Sequence, residues 1–254
     1  MVNIFNNLLL YFQFFTRIPI NKELECSDKN FIAGTPFFPI IGLVIGVIQY
    51  CAYYVMSFSF NSQIVAIILV LISILVTGAL HLDGFGDCAD GFFAFKGGKD
   101  KIIEIMKDSR IGAFGCIAIV FNILLKIALI DNVIIQKIPE LIVLSPIIGR
   151  FSIVFLSYIG KNAKPHGTGN LFIGKIKFKN FVATFITTLV VCYFIIGISV
   201  LILIGSAIVI SLLFNKLCEN KIGGLSGDTL GANNEIVEMV TFMVYVIYIS
   251  LFNI

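Results

Sequence analysis

Long apolar runs separated by short polar segments dominate the chain. No Asp, Glu, Lys or Arg occurs between Lys29 and Asp83, and residues 180–215 are also uncharged. At 1.5 Å per residue, each run is far longer than a hydrocarbon core of about 30 Å, so each should fold back once. We expect the reversals at the polar residues 57–62 and near Gly197.

This pattern predicts an all-α, polytopic integral membrane bundle of about seven transmembrane helices. We expect the chain to form a single membrane-embedded domain, residues 1–254, with no separate soluble part. The predicted spans lie near residues 37–56, 63–80, 111–130, 141–159, 181–196, 200–214 and 236–252.

Basic residues are distributed unevenly between the predicted loops. If the N-terminus lies inside, 15 of the 18 Lys and Arg residues fall in inner segments, Lys137 alone falls outside, and Lys126 and Arg150 fall within spans. Inner loops of membrane proteins carry the excess of basic residues. The motif-bearing helix ends are therefore expected on the cytoplasmic side.

Composition supports a lipid environment. The chain is 58% hydrophobic and only 13% charged, against about 25% charged in an ordinary soluble domain. This excludes a soluble enzyme and a disordered chain. The net charge of +3 is too small for nucleic-acid binding, which needs a dense basic surface. The bilayer is the expected surrounding, and we expect no nucleic-acid partner.

Three acidic residues follow the second predicted span. Asp83, Asp87 and Asp90 are spaced i, i+4, i+7, so they share one face if the segment is helical. Like charges at this spacing repel, and more so at a membrane boundary. A divalent cation such as Mg²⁺, Mn²⁺ or Ca²⁺ would remove the repulsion. A solvated acidic helix end is the simpler alternative.

Two further polar groups lie at predicted helix ends. Asp108 and Arg110 stand just before the third span, where charges are also ordinary interface anchors. Residues 223–235 are rich in glycine around Asp228, which is typical of a loop whose backbone N–H groups approach an anion, or of a flexible connection. Glu235 follows Asp228 at i+7, with Gly231 between them.

A basic inner loop and one intramembrane charge are additional candidates. Residues 163–169 form a Gly/Pro-containing turn with Lys164 and Thr168, and lysines surround it. Lipid headgroups explain such lysines, and contact with a phosphorylated substrate is the more specific alternative. Arg150 lies inside an apolar span, where a charge normally faces the bundle interior and marks a functional site.

Five ordered motifs closely resemble those of the cobalamin synthase family, the adenosylcobinamide-GDP ribazoletransferases. They occupy residues 15–19, 38–42, 77–91, 104–112 and 223–232. The resemblance extends from about residue 10 to residue 240. Residues 85–88 and Ser226 depart slightly from the usual family pattern, but neither departure removes an acidic residue.

The resemblance implies an integral membrane enzyme of the prokaryotic cell (inner) membrane. It would transfer adenosylcobinamide phosphate from adenosylcobinamide-GDP to α-ribazole or α-ribazole 5′-phosphate, with release of GMP and a requirement for Mg²⁺. Oligomer formation and docking of other pathway enzymes stay open. On this resemblance, Asp83, Asp87 and Asp90 fall on the acidic motif, Asp108 and Arg110 on the second motif, and Gly227 and Asp228 on the C-terminal motif.

Specific roles follow as a hypothesis. The triad Asp83, Asp87 and Asp90 holds one or two Mg²⁺ ions on the GDP diphosphate. Asp228 or Asp108 serves as a further ligand or as the base toward the ribazole 3′-hydroxyl, with His81 as an alternative base. The expected substrate-binding residues are Arg17, Lys164, Thr168, Gly227, Gly231, Glu235 and Arg150, the last acting with Arg110 on diphosphate charge.

Two other classes of protein use similar residues. CDP-alcohol phosphotransferases also align acids on a membrane helix, but the Arg and second Gly/Asp pattern of their motif do not follow Asp83. A divalent-cation transporter would place its carboxylates near the bilayer midplane. If residues 180–215 formed a single span, Asp228 would lie on the opposite side of the membrane from Asp83.

Overall fold

The computed structural model describes residues 4–93, 97–163 and 167–252, and most of this part of the chain is helical. No β-strand occurs in it beyond an isolated bridge between Asn162 and Leu225. The helices are α1 (Ile4–Phe15), α2 (Asp28–Gly34), α3 (Phe38–Met56), α4 (Ser62–Thr77), α5 (Leu80–Phe93), α6 (Lys99–Ile105), α7 (Ala113–Ile135), α8 (Leu141–Ile159), α9 (Phe178–Ile196), α10 (Val200–Ile222) and α11 (Gly227–Phe252).

Several of these helices suit a bilayer. Within the described ranges, five helical segments are long and apolar enough to cross a membrane, or six if α4 and α5 together form one broken span. The five are Asp28–Met56, Ala113–Ile135, Leu141–Ile159, Phe178–Ile222 and Gly227–Phe252. The predicted all-α, polytopic membrane fold is confirmed. Seven spans were expected. The span at 63–80 is counted only if α4 and α5 form one broken span, and the remaining difference concerns the 45-residue segment Phe178–Ile222.

That segment folds back on itself at Gly197, which has φ 61° and ψ −144°. Near its start, the Phe181 ring stacks on Tyr158 with 4.8 Å between ring centroids. Just beyond its end, the Leu225 N–H donates to the Lys161 carbonyl at 2.8 Å. Both ends therefore lie beside the last turn of α8, so the chain reverses where the sequence predicted it.

The turn and the bend around α4 have local causes. The α3–α4 turn ends at Asn61, whose side chain accepts a hydrogen bond from the Ile64 N–H and caps α4. After α4, Gly78 and Ala79 both adopt positive φ angles, 63° and 59°. The chain then turns by 93° into α5. The second predicted span, 63–80, therefore ends earlier than expected, and α5 leaves at an angle.

Helix α8 is the centre of the bundle. Every residue from Leu141 to Ser157 is buried, and α3 approaches it closely because Gly42 and Gly46 face its backbone. Small residues allow such close helix contacts within membranes. The outer face of α7 instead exposes large apolar side chains, including Phe121 and Leu124. Helix α11 lies against α8 and begins beside α5, which places its first turn at the candidate site.

Candidate active site

A pocket of about 110 Å³ lies where α5 and α11 begin. Ile153 of α8 closes its inner side, and residues from the end of α1 and the loop before α9 complete the wall. Five sequence-predicted site residues line this pocket, namely His81, Asp83, Gly227, Asp228 and Gly231. Residues that are far apart in the sequence thus form one acidic cavity.

The two pocket carboxylates are brought together by a close crossing of helices. A Cβ atom on Gly84 would lie only 2.8 Å from the carbonyl oxygen of Asp228. One turn further along α11, Gly231 faces the His81 backbone in the same way, at 3.1 Å. Only residues without a side chain allow this approach, which places Asp83 and Asp228 on one cavity. The Ser226 hydroxyl donates to the Asp228 carboxylate at 3.1 Å.

Asp90 has a different environment from Asp83, although both lie on α5. Its carboxylate is buried and accepts hydrogen bonds from the Gly112 and Gly115 N–H groups at 2.7 and 2.8 Å. A carboxylate at this position pairs with free N–H groups at the start of α7, and the positive end of that helix dipole stabilises its negative charge. Asp90 therefore joins α5 to α7, while Asp87 lies half-buried between Asp83 and Asp90.

The predicted three-carboxylate metal site is not assembled as a cluster. Among the described residues, no three His, Cys, Asp or Glu side chains are grouped closely enough to hold a metal ion. Mg²⁺, however, is commonly held by one or two carboxylates together with substrate phosphates. Asp83 and Asp228 are hard oxygen donors on a single pocket. One of the two carboxylates would therefore be sufficient to hold a Mg²⁺ there, and the other would stay available for a second role.

Asp108 and Arg110 lie in the exposed segment before α7 and do not line the pocket. The Arg110 guanidinium donates to both carboxylate oxygens of Asp108, at 3.0 and 2.7 Å. These hydrogen bonds, with one from the Arg110 N–H, lower the pKa of Asp108 to about 2. The pair therefore carries one positive and one negative charge at neutral pH.

Arg17 lies over the bend between α4 and α5. Its N–H donates to the Val76 carbonyl at 2.7 Å, and its guanidinium covers Gly78, where a Cβ atom would collide with it. The exposed Arg17 side chain is therefore close to Leu80, which lines the pocket. Arg17 itself is not among the residues that line the pocket.

The predicted basic loop is only partly described. Lys164 lies outside the described residues. Thr168 begins the short 3₁₀ turn Thr168–Leu171, and the next residue, Gly169, lines the pocket. A Cβ atom on Gly169 would lie 2.7 Å from the Gly227 nitrogen, so this turn lies directly against the start of α11.

Arg150 and Glu235 belong to a buried ion-pair network behind the pocket. Lys126 of α7 contacts the carboxylates of Glu235 and Glu238 at 2.6 Å each, and Arg150 forms an ion pair with Glu238. Sequence reasoning did not identify Lys126 or Glu238 as site residues. The available signal was their charge within apolar segments, which is costly in a membrane unless the charge is paired.

Fold and site together define a multi-pass helical membrane protein with a pocket that two carboxylates from distant segments line. The profile of the family described as Cobalamin-5-phosphate synthase matches residues 7–246. The chain therefore belongs to this family.

Curated relatives resemble the chain over nearly its whole length. A Clostridium tetani protein named adenosylcobinamide-GDP ribazoletransferase is 48% identical over 242 residues, which cover 94% of this chain and 96% of the relative. A Clostridium kluyveri protein of the same name is 44% identical over 254 residues, with coverage of 98% and 100%. No solved structure matches the chain significantly.

Proposed function

We propose that this protein transfers adenosylcobinamide phosphate from adenosylcobinamide-GDP to α-ribazole or its 5′-phosphate and releases GMP. One observation carries the proposal: Asp83 and Asp228, from two distant motifs, line the same pocket. The family match over residues 7–246 favours this activity over a CDP-alcohol phosphotransferase or a divalent-cation transporter.

The pocket residues divide the chemistry between them. Asp83 would hold Mg²⁺, which when bound neutralises charge on the diphosphate. The ribazole 3′-hydroxyl forms a new bond to the cobinamide-linked phosphorus, and the bond from that phosphorus to the GMP oxygen breaks. Of the two carboxylates considered as the base, Asp228 lines the pocket and Asp108 does not. We therefore assign the hydroxyl proton to Asp228.

The remaining positions fit binding of a large anionic substrate at the cytoplasmic side of the cell membrane. A cavity of about 110 Å³ admits the diphosphate and the attacking hydroxyl, whereas a corrin ring must stay at the opening. Arg17 is exposed at the bend that precedes the pocket residue Leu80. Lys221, near the end of α10, is one of the basic residues in the predicted inner segments, and its ammonium donates to the Phe92 carbonyl near the end of α5. Inner loops of membrane proteins carry an excess of such positive charges.

Turnover in lipid vesicles tests the proposal directly. With adenosylcobinamide-GDP, α-ribazole and Mg²⁺, we expect GMP release that requires all three components, stops on addition of EDTA and resumes with excess Mg²⁺. GMP is quantified by chromatography, and the corrinoid product by mass. GMP release at an equal rate without ribazole would indicate a hydrolase instead. Release that EDTA does not affect would remove Mg²⁺ from the proposal.

Gly84→Ala tests the close helix crossing. The added methyl group would meet the Asp228 backbone at 2.8 Å, so α5 and α11 must move apart and separate the two carboxylates. A displacement of about 1 Å is expected to lower turnover by about 10²-fold. The matched control is Gly205→Ala on α10, where a Cβ atom meets nothing within 4 Å. Equal activity of the two variants would contradict the crossing.

A further inference from the structure

His81 connects the pocket with the buried ion-pair network. Its side chain is buried and lines the pocket, and its ring lies nearly parallel to that of Phe15, 6.5 Å between ring centroids. On its other side, Nδ1 of His81 lies 3.4 Å from Nη2 of Arg150. The imidazole is therefore held from two directions.

The identity of this neighbour determines which ring nitrogen carries the proton. An arginine side chain has N–H donors and no acceptor. A contact between Arg150 and Nδ1 therefore requires that Nδ1 accepts, so the proton of a neutral imidazole resides on Nε2. Since the two ring nitrogens point in different directions, Nε2 is directed away from Arg150.

Arg150 is itself held in one orientation. It is almost completely buried in α8 and forms an ion pair with Glu238 of α11. The same Glu238 oxygen accepts from the Asn234 amide at 3.0 Å, and the other oxygen accepts from Lys126 at 2.6 Å. A guanidinium with fixed partners fixes in turn the group that it contacts.

We propose that His81 is a hydrogen-bond donor of the pocket, through Nε2–H, and that Arg150 and Glu238 are positioning residues that keep it so. The donor serves an oxygen of the substrate diphosphate, where negative charge develops as GMP leaves. This inference rests on the proposed function. It assigns His81 a role other than the base that the sequence had left open.

Two substitutions of His81 separate a donor from a base. Gln retains an N–H donor near the position of Nε2 but cannot take up a proton, whereas Phe keeps the ring shape and lacks both properties. A donor role predicts that His81→Phe lowers kcat by about 10²-fold, the loss expected for one removed donor. His81→Gln should recover at least tenfold of that loss. If His81 were the base, both variants would be equally impaired.

The tautomer is measured independently of turnover. The chain has two histidines, so ¹⁵N-histidine NMR in lipid nanodiscs needs only His166→Gln for assignment. We expect His81 to show protonated Nε2 and unprotonated Nδ1. The double variant Arg150→Met/Glu238→Met removes one ion pair without changing net charge and leaves Lys126 paired with Glu235. It should give both tautomers and lower kcat about tenfold or more, with little change in KM.

The matched control removes an ion pair from the surface. Lys175 contacts Asp28 at 2.7 Å, and both are exposed, so Lys175→Met/Asp28→Asn should leave the His81 signals and kcat unchanged. Protonated Nδ1 in the parent protein, or equal loss in His81→Gln and His81→Phe, would overturn the inference. Absence of ribazole transfer by the parent protein would instead overturn the proposed function, because the NMR result does not depend on it.

Discussion

Asp83→Asn is expected to lower turnover by about 10³-fold while the protein stays folded in the membrane. The amide has nearly the shape of the carboxylate but not its charge, and Asp83 is exposed to the pocket rather than used in packing. Losing a Mg²⁺ ligand removes several kcal/mol of charge stabilisation from the transition state, which corresponds to a rate factor of this size. GMP release per folded protein is the measurement.

The matched control for this prediction is Asp100→Asn. Asp100 lies in the first turn of α6 and is exposed, so the same chemical change occurs there away from the pocket. Its turnover should equal that of the parent protein. Full activity of Asp83→Asn, or an equal loss in both variants, would contradict the assignment of Asp83 as the metal ligand.

The helices could be predicted from the sequence because their causes are local. Uncharged runs that are too long for one crossing require a reversal, and polar or glycine residues show where it occurs. Asn61 caps α4, and Gly197 adopts a positive φ angle at the second reversal. In a bilayer, unpaired backbone groups are so costly that an apolar run has almost no alternative to a helix.

The distribution of the acidic residues could be predicted only in part. The spacing correctly placed Asp83, Asp87 and Asp90 on a helix, α5. It did not show that different helices pack against successive turns of α5. Asp90 accepts hydrogen bonds from N–H groups at the start of α7, whereas Gly84, next to Asp83, packs against the start of α11. These environments depend on how segments that are distant in the sequence cross in the fold. The periodicity of the sequence carries no information about those crossings.

The bend before α5 also depends on a tertiary contact. Glycine often ends a helix in the left-handed conformation, as Gly78 does here, but the positive φ of Ala79 is unusual for a residue with a side chain. Arg17 contacts this bend through its N–H and its guanidinium. Arg17 and Ala79 are far apart in the sequence, so the predicted span continued to residue 80 instead of ending at Thr77.

The buried ion-pair network also depends on contacts between segments that are distant in the sequence. Lys126 and Arg150 were recognised as charges within spans, but their partners are Glu235 and Glu238 of α11. Nothing local in the sequence indicates which intramembrane charge meets which. The network contains two cations and two carboxylates, so removing any one of the four residues leaves an unbalanced buried charge.

Lys126→Met is therefore expected to cause the largest loss of stability. Lys126 is buried and bridges Glu235 and Glu238 at 2.6 Å each. Without it, Arg150 still pairs with Glu238, but Glu235 loses its cation. An uncompensated buried charge costs about 3–5 kcal/mol. We expect the free energy of unfolding, measured by reversible denaturation in mixed micelles, to fall by about this amount.

The compensating variant Lys126→Met/Glu235→Gln distinguishes charge from packing. It removes one cation and one carboxylate, and it leaves the pair of Arg150 and Glu238 intact. Removing a whole buried ion pair is often nearly neutral for stability, so the double variant should recover most of the loss. Equal destabilisation of the single and double variants would mean that the methylene packing of Lys126, not its charge, stabilises the bundle.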